Sequence, residues 1–201
     1  MAEWLHYYPM FRTWFGLTGL CRLPWTEVLP ADNGRWGDDA PKVPGHVHIY
    51  CRLYSSVTGR PLTPKDLIEQ AERVYTFQRV FNLRMGQGTR ADDQPPYRAL
   101  GPVTAAEYDR SADRYDGQLR SRLGLDPGGM SIAEKLTRHR AWRLERFEAV
   151  VAAAYRRRGW TTEGVPTADT LARLGLDTPD VLAVVRGGPV KTGDQPILRA
   201  R

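Results

Sequence analysis

The sequence predicts an all-α protein: an irregular multi-helix domain with long ordered loops. Apolar side chains recur three or four residues apart in several stretches, the spacing that places them on one helix face. Helix-starting sequences precede several of these stretches. No stretch alternates apolar and polar residues as paired strands do, and no internal repeat is visible. Because isolated helices are marginal in water, we expect these helices to persist by packing on one another.

The N-terminal part predicts two helices separated by a long loop. The aromatic-rich first segment favours a helix over residues 4–15. Residues 24–45 contain four prolines and an Asn-Gly step, a composition typical of loops. Residues 46–58 return to helical spacing, and Gly59 follows them as a stop.

A third helix is expected from Thr63 to about Leu83. Thr63 is a suitable N-cap, Pro64 suits the first helical position, and Asp66 places an acid in the first turn. After this helix, residues 84–103 predict an ordered loop rich in glycine and proline.

Two further helices begin at capping boxes, in which Ser or Thr is followed three residues later by Glu. Thr104 opens a helix expected to reach about Leu123, and Ser131 opens the longest helix of the chain. Gly159 is placed to end that longest helix, after three arginines (residues 156–158) whose charge suits a helix C-terminus.

The C-terminal part predicts two short helical segments and a tail. Thr167 begins a helix that ends near Gly175, and residues 179–185 add a further turn. The glycine- and charge-rich end of the chain predicts a flexible tail over residues 186–201. We therefore expect one helical domain, residues 1–185, followed by that tail.

The composition is that of an ordinary globular protein with a basic surplus. The 201 residues are 41% hydrophobic and 26% charged, and 29 Lys and Arg against 23 Asp and Glu give a formal charge of +6. A basic chain can bind nucleic acid, but the arginines are interleaved with acids. We expect no nucleic-acid partner; an unrelated basic helical protein that binds nucleic acid is the alternative that composition leaves open.

Targeting and membrane signals are not visible in the sequence. The start of the chain has no basic segment followed by an apolar one, as a signal peptide would, and no run of about 18 apolar residues predicts a transmembrane helix. Two cysteines do not form a disulfide framework. We expect a cytoplasmic, reduced protein without a membrane partner.

Cys21 is the residue with the clearest chemical interest. It follows Gly19 and Leu20 in a segment flanked by aromatic residues. A lone cysteine is more often a buried small apolar residue than a ligand, and an iron–sulfur cluster usually needs four thiolates. Cys51 lies beside Tyr50 on a helical face, where core packing is the better interpretation.

The other polar candidates favour structural roles. The four histidines, His6, His46, His48 and His139, have no spacing typical of a metal site, and no catalytic role is assigned to any residue. Asp92 and Asp93 have a possible role as a metal or acid–base pair, but adjacent acids in a proline-rich loop more often cap turns. Residues 86–88, Gly-Gln-Gly, follow a helix rather than a strand, which excludes a phosphate-binding loop.

Three separated blocks of this sequence resemble the C-terminal domain of the tungsten-containing aldehyde ferredoxin oxidoreductases. The first, the cofactor turn, is residues 15–25, with Gly-Leu-Cys at its centre. The middle block, residues 62–98, contains Glu-Arg, then Arg-Val-Phe-Asn, then a glycine turn and an acidic, proline-rich loop ending in Tyr-Arg. The late block, residues 155–176, contains Tyr-Arg-Arg-Arg-Gly-Trp, Gly-Val-Pro-Thr and Leu-Gly-Leu.

The resemblance implies an enzyme that oxidises aldehydes to carboxylic acids and passes two electrons to ferredoxin. In that family tungsten, sometimes molybdenum, is held by two pterin dithiolenes, and a nearby [4Fe–4S] cluster relays the electrons. By resemblance, Gly19 and Leu20 bring backbone groups near one pterin and Cys21 is one cluster ligand. The family often has an aspartate at the position of Gly16, where this chain lacks a side chain.

The resemblance also implies missing parts. The family's N-terminal and middle regions, with a Cys-x-x-Cys-x-x-x-Cys motif and most pterin contacts, have no counterpart in this sequence. Both cofactors are therefore expected to be shared with the missing domains, which would be partners of this chain, and the isolated chain is expected to be inactive. The alternative is an orphaned, non-catalytic helical interaction module of the same family.

Overall fold

The computed structural model describes residues 2–20 and 47–187. Over these ranges the chain is all-α, as predicted, and the one extended pairing is an isolated bridge between Trp160 and Pro166. The described helices are α1 (Ala2–Thr18), α2 (Val47–Thr58), α3 (Pro64–Arg84), α4 (Ala105–Asp109), α5 (Ala112–Leu123), α6 (Ile132–Arg158), α7 (Ala168–Arg173) and α8 (Pro179–Gly187). The loop at 24–45 and residues 188–201 of the tail lie outside the described residues.

The chain divides into two compact units. The first unit consists of residues 1–92 and 153–201, and the second of residues 93–152. Helix α6 contributes to both, since the division falls between Ala152 and Ala153.

The core of the first unit lies where α1 and α2 pack against α3. Helix α1 buries one face at the helical spacing, and α2 and α3 each bury a shorter stripe against it. The buried side chains of this core are Tyr7, Met10, Phe11, Trp14, Phe15, Val47, Tyr50, Cys51, Leu62, Leu67, Ile68 and Ala71. A smaller apolar cluster joins α3 to the C-terminal helices through Val80, Leu171 and Val181.

The two strongest helix starts form as the sequence predicts. Thr63 caps α3: its hydroxyl accepts from the Asp66 amide, and the Asp66 carboxylate accepts from the Thr63 amide at 2.9 Å. Ser131 and Glu134 make the same reciprocal pair at the start of α6. Both boxes satisfy amides that a helix start otherwise leaves without acceptors.

The single helix predicted from Thr104 to Leu123 is wrong. The chain breaks at Ser111, whose backbone leaves the helical region, so α4 and α5 are separate helices. The Tyr108 hydroxyl donates to Asp116 Oδ1 at 2.7 Å. Eight residues of continuous helix would advance about 12 Å, beyond the reach of that tyrosine, so the break is what allows this bond.

Tyr108 is the centre of the core of the second unit. The centroid of its ring lies 5.1 Å from that of Tyr115 and 5.8 Å from that of the fully buried His139. Lys135 pairs with Asp116 at 3.1 Å, so the hydroxyl of Tyr108 and the ammonium of Lys135 share one carboxylate. This unit is therefore organised around a buried polar group as well as apolar contacts.

Candidate functional site

Helix α1 ends in a glycine turn at the centre of the cofactor turn. Gly19 has φ of +70°, and the Leu20 amide donates to the Phe15 carbonyl at 3.1 Å. This six-to-one bond across a left-handed residue is a Schellman cap, which glycine accommodates best. No described residue comes within 4 Å of the place a Cβ of Gly19 would occupy, so with respect to the described part of the chain its backbone is open on that side.

Of the two cysteines, the structure describes Cys51 but not Cys21. Cys21, the predicted ligand, lies outside the described residues, as does His46. Cys51 is 4% exposed in the core of α2, and burial raises the pKa of its thiol. Since the thiolate is the form that binds metals, Cys51 is a packing residue, as predicted.

Over residues 5–20 and 47–187, no group of three or more His, Cys, Asp or Glu side chains is placed to hold a metal ion. His6 and His139 are buried and His48 is exposed. Among the described side chains, these three histidines join neither one another nor acids in such a group.

The most organised polar feature of the first unit is an arginine–aromatic cluster of Tyr75, Arg79, Tyr155, Arg158 and Trp160. The Tyr75 and Trp160 rings are stacked, with centroids 6.1 Å apart. The Arg158 guanidinium lies 4.8 Å from the Tyr75 centroid, and Arg79 lies 5.1 Å from that of Trp160. Both arginines are buried, where contact with a ring face offsets part of the cost of desolvation.

The same cluster joins the middle block to the late block. Arg79 Nε donates to the Gly164 carbonyl at 2.9 Å, and its Nη2 to the Tyr155 hydroxyl at 3.2 Å. Gly164 has φ of +76°, and a Cβ there would overlap the Arg79 guanidinium. The backbone conformation and the close approach both require glycine at this position.

A second pair of contacts ties the same two blocks together. Glu72 accepts a bidentate pair of hydrogen bonds from Arg173, at 3.1 and 2.6 Å. Arg73 Nε donates to the Leu174 carbonyl at 2.7 Å. The residues that carry the sequence resemblance in these blocks are therefore engaged in holding α3, α6 and α7 together.

The arginines at the end of α6 also hold α1. Arg157 Nη2 donates to the Tyr7 hydroxyl at 3.0 Å, and Arg158 Nη2 donates to the Leu5 carbonyl at 2.6 Å. The sequence predicted these arginines only as charges that suit a helix end. Their partners are far away in sequence, so no local pattern indicates them.

His6 lies between these contacts and is 4% exposed. Its Nδ1 has no hydrogen-bond partner in the described part of the chain. Burial, together with Arg157, Arg158 and Arg173 nearby, lowers the pKa of His6 to about 3. The imidazole is therefore neutral near pH 7 and is a packing group rather than a proton carrier.

Asp92, an acid of the loop after α3, has a structural role. Asp92 accepts from the Thr89 amide and hydroxyl at 2.8 and 2.9 Å, and these bonds lower the pKa of its carboxyl. The turn-capping role predicted for Asp92 is thus confirmed. Arg98, which follows this loop, binds Glu107 at 2.7 Å.

The geometry defines an all-α protein in which α1 ends in a capped turn and arginines of α6 bind its N-terminal half, at Leu5 and Tyr7. No helix in the described ranges is long and apolar enough to cross a membrane. Residues 1–176 match the family model described as aldehyde ferredoxin oxidoreductase, domains 2 & 3. The chain belongs to this family of oxidoreductases. Neither a curated protein nor a solved structure matches the chain significantly.

The matched description names the second and third domains, so members of the family contain at least one further domain. Family membership also associates metal and pterin cofactors with the complete enzyme. Membership of this family confirms the resemblance predicted from the three blocks.

Proposed function

We propose that this chain is the C-terminal portion of an oxidoreductase that oxidises aldehydes to carboxylic acids, with ferredoxin as electron acceptor. The observation that carries the proposal is the match to domains 2 and 3 of the family over residues 1–176. In this proposal residues 1–185 form the helical domain, residues 186–201 are its tail, and the protein acts in the cytoplasm.

The proposed site is the turn that follows α1. Cys21 supplies one thiolate to a [4Fe–4S] cluster, and Gly19 and Leu20 offer backbone groups to a tungsten or molybdenum bis-pterin. When bound, these groups supply the oxidation chemistry and relay the electrons. The Schellman cap supports this assignment because it ends α1 just before Cys21, at a glycine whose Cβ position has no described residue within 4 Å.

The donor set fits a shared cluster. An iron–sulfur cluster of this type takes four thiolates as a rule, and the buried Cys51 is packed away from solvent. The chain therefore supplies one ligand, and the other three belong to other domains of the complete enzyme, which act as partners. Exposed apolar side chains at the α1–α2 groove, Leu17, Leu20, Leu53 and Val57, support such a partner.

The test is to produce the chain anaerobically together with a polypeptide that carries the Cys-x-x-Cys-x-x-x-Cys motif. We expect a brown complex with about four irons per pair and aldehyde-dependent reduction of ferredoxin. Cys21→Ala should lower the iron content or shift the potential of the cluster. Cys51→Ala is the matched control, since it removes a thiol from the core and should leave the iron in place.

Unchanged iron content and unchanged spectra in Cys21→Ala would exclude the ligand assignment. Equal iron loss in both cysteine variants would point to damage to the fold instead. A complex that forms through the apolar groove without taking up iron would favour the second candidate, an orphaned interaction module. The exposed apolar groove is the observation that supports this second candidate.

A further inference from the structure

A second groove of the first unit lies between α1 and α3 and shares Leu17 with the apolar α1–α2 groove. Its volume is about 570 Å³. It is lined from α1 by Tyr8, Pro9, Arg12, Thr13, Gly16 and Leu17, and from α3 by Val74, Tyr75 and Gln78. The groove therefore combines one cation, several hydrogen-bonding side chains and an apolar wall.

Arg12 is the charged group of this α1–α3 groove, and no carboxylate lines the groove in the described part of the chain. The positions three and four residues away on α1, where a helix would offer an acid, are Tyr8, Pro9, Phe15 and Gly16. Among the described contacts Arg12 makes no ion pair. A half-buried guanidinium with no acid among the described residues around it is a strong attractor for an anion.

Arg12 is held in place before any ligand arrives. Its Nη1 donates to the Tyr8 hydroxyl at 2.8 Å, and its guanidinium carbon lies 5.5 Å from the Tyr8 ring centroid. These two contacts use one N–H of the Arg12 guanidinium, so its other N–H groups can donate to a ligand. Such pre-organisation reduces the entropy that binding would otherwise cost.

The opposite wall adds positive potential and apolar surface. Tyr75 lines the groove, and the buried guanidinium of Arg158 lies 4.8 Å from the Tyr75 ring centroid. Val74 on this wall and Leu17 on α1 supply aliphatic surface, and Gln78 on this wall and Thr13 on α1 supply neutral donors. An inorganic ion would use only the polar half of this lining.

From these contacts we infer that the α1–α3 groove is a binding site for an organic monocarboxylate. The carboxylate pairs with the Arg12 guanidinium, and its organic body lies against Val74, Tyr75 and Leu17. The groove takes in Gly16 and Leu17 of the cofactor turn, but Arg12, the partner of the carboxylate, lies before that turn, so the chain should bind this ligand without iron or pterin.

The test is a calorimetric titration of the full chain, without added cofactor, with benzoate, with neutral isosteric benzamide and with inorganic phosphate. Benzoate should bind at least about tenfold more tightly than benzamide, with an affinity that falls as salt is added. Arg12→Gln should reduce benzoate binding to the benzamide level, and Arg12→Lys should retain part of it. Arg60→Gln removes an exposed cation outside the groove and should change nothing.

Gly16 provides a second, independent variant pair. Gly16→Asp places a carboxylate four residues after Arg12 and should weaken benzoate binding about fivefold or more relative to Gly16→Asn, which has the same shape. Equal binding of benzoate and benzamide, or no effect of Arg12→Gln, would overturn the inference. Tighter binding of phosphate than of benzoate would overturn the inference that the ligand is organic. None of these outcomes depends on Cys21, so they are separate from the test of the proposed function.

Discussion

Arg158 supplies the hydrogen bond that Pro9 removes from the carbonyl of Leu5. In a regular helix the amide of residue 9 would donate to the carbonyl of residue 5, but proline has no N–H. Arg158 Nη2 donates to that carbonyl at 2.6 Å instead. Helix α1 therefore passes through Pro9 with its orphaned carbonyl satisfied by a buried side chain of α6.

Arg158→Met should destabilise the protein by about 2–4 kcal/mol, because it leaves the Leu5 carbonyl without a donor and removes the cation from Tyr75 and Trp160. In the Pro9→Ala background the restored amide can donate to Leu5, so the same substitution should cost about 1 kcal/mol less. Urea unfolding of the four members of this double-mutant cycle measures the coupling.

Arg156→Met, an exposed position in the same turn, is the control and should change the free energy of unfolding by no more than about 0.5 kcal/mol. Additive effects of the Arg158 and Pro9 substitutions would show that the two residues do not act on the same carbonyl.

The helix starts could be read from the sequence because their chemistry is local. Thr63 with Asp66, and Ser131 with Glu134, satisfy each other within one turn, so spacing alone predicts the bond. The break at Ser111 was missed because no side-chain cap marks it. The break is needed for a contact between Tyr108 and Asp116, which no local pattern indicates.

The candidate site likewise contains one local feature that the sequence predicts and several contacts between distant residues that it does not. The Gly-Leu-Cys turn is a short local motif, and its glycine adopts the left-handed conformation expected of a helix cap. Arg79 and Gly164, and likewise Arg12 and its groove with α3, meet only after the helices pack. The sequence shows the residue types at these positions but not which of them meet, so their roles depended on the tertiary structure.

Gly164→Ala should destabilise the first unit by about 3 kcal/mol or more. The new methyl group would overlap the Arg79 guanidinium and lie 2.9 Å from the Tyr155 hydroxyl, in addition to the strain of a positive φ. Gly175→Ala isolates the strain, because Gly175 has φ of +63° and no described residue lies within 4 Å of its Cβ position, and it should cost about 1 kcal/mol. Thermal unfolding of both variants provides the comparison, and equal losses would show that the Arg79 contact is not tight.

Asp116→Asn should destabilise the second unit by about 1–3 kcal/mol. Burial by itself raises the pKa of Asp116, but hydrogen bonds from Tyr108 and Lys135 outweigh it, so the pKa is lowered. The ionised carboxylate is therefore the form that the fold stabilises, and the amide removes its charge from Lys135. Hydrogen exchange of the second unit measures the loss; Asp109→Asn, an exposed acid of α4, should leave exchange unchanged.

His6 should make the protein less stable as the pH falls. Its pKa is about 3 in the folded chain, against the ordinary histidine value of 6.5, so the unfolded chain takes up the proton first. Stability is therefore unaffected above about pH 6.5 and is lost progressively from there down to about pH 3, by up to about 1.4 kcal/mol per pH unit for one proton. His139, whose pKa burial also lowers, adds to the loss in the same direction.

His6→Leu should flatten this dependence by the share of one proton and leave the part due to His139. The measurement is the free energy of urea unfolding from pH 7 to pH 4 in the parent chain and in His6→Leu. The same slope in His6→Leu as in the parent would show that His6 gains a proton in the folded chain. Arg157, Arg158 and Arg173 would then not hold its imidazole neutral.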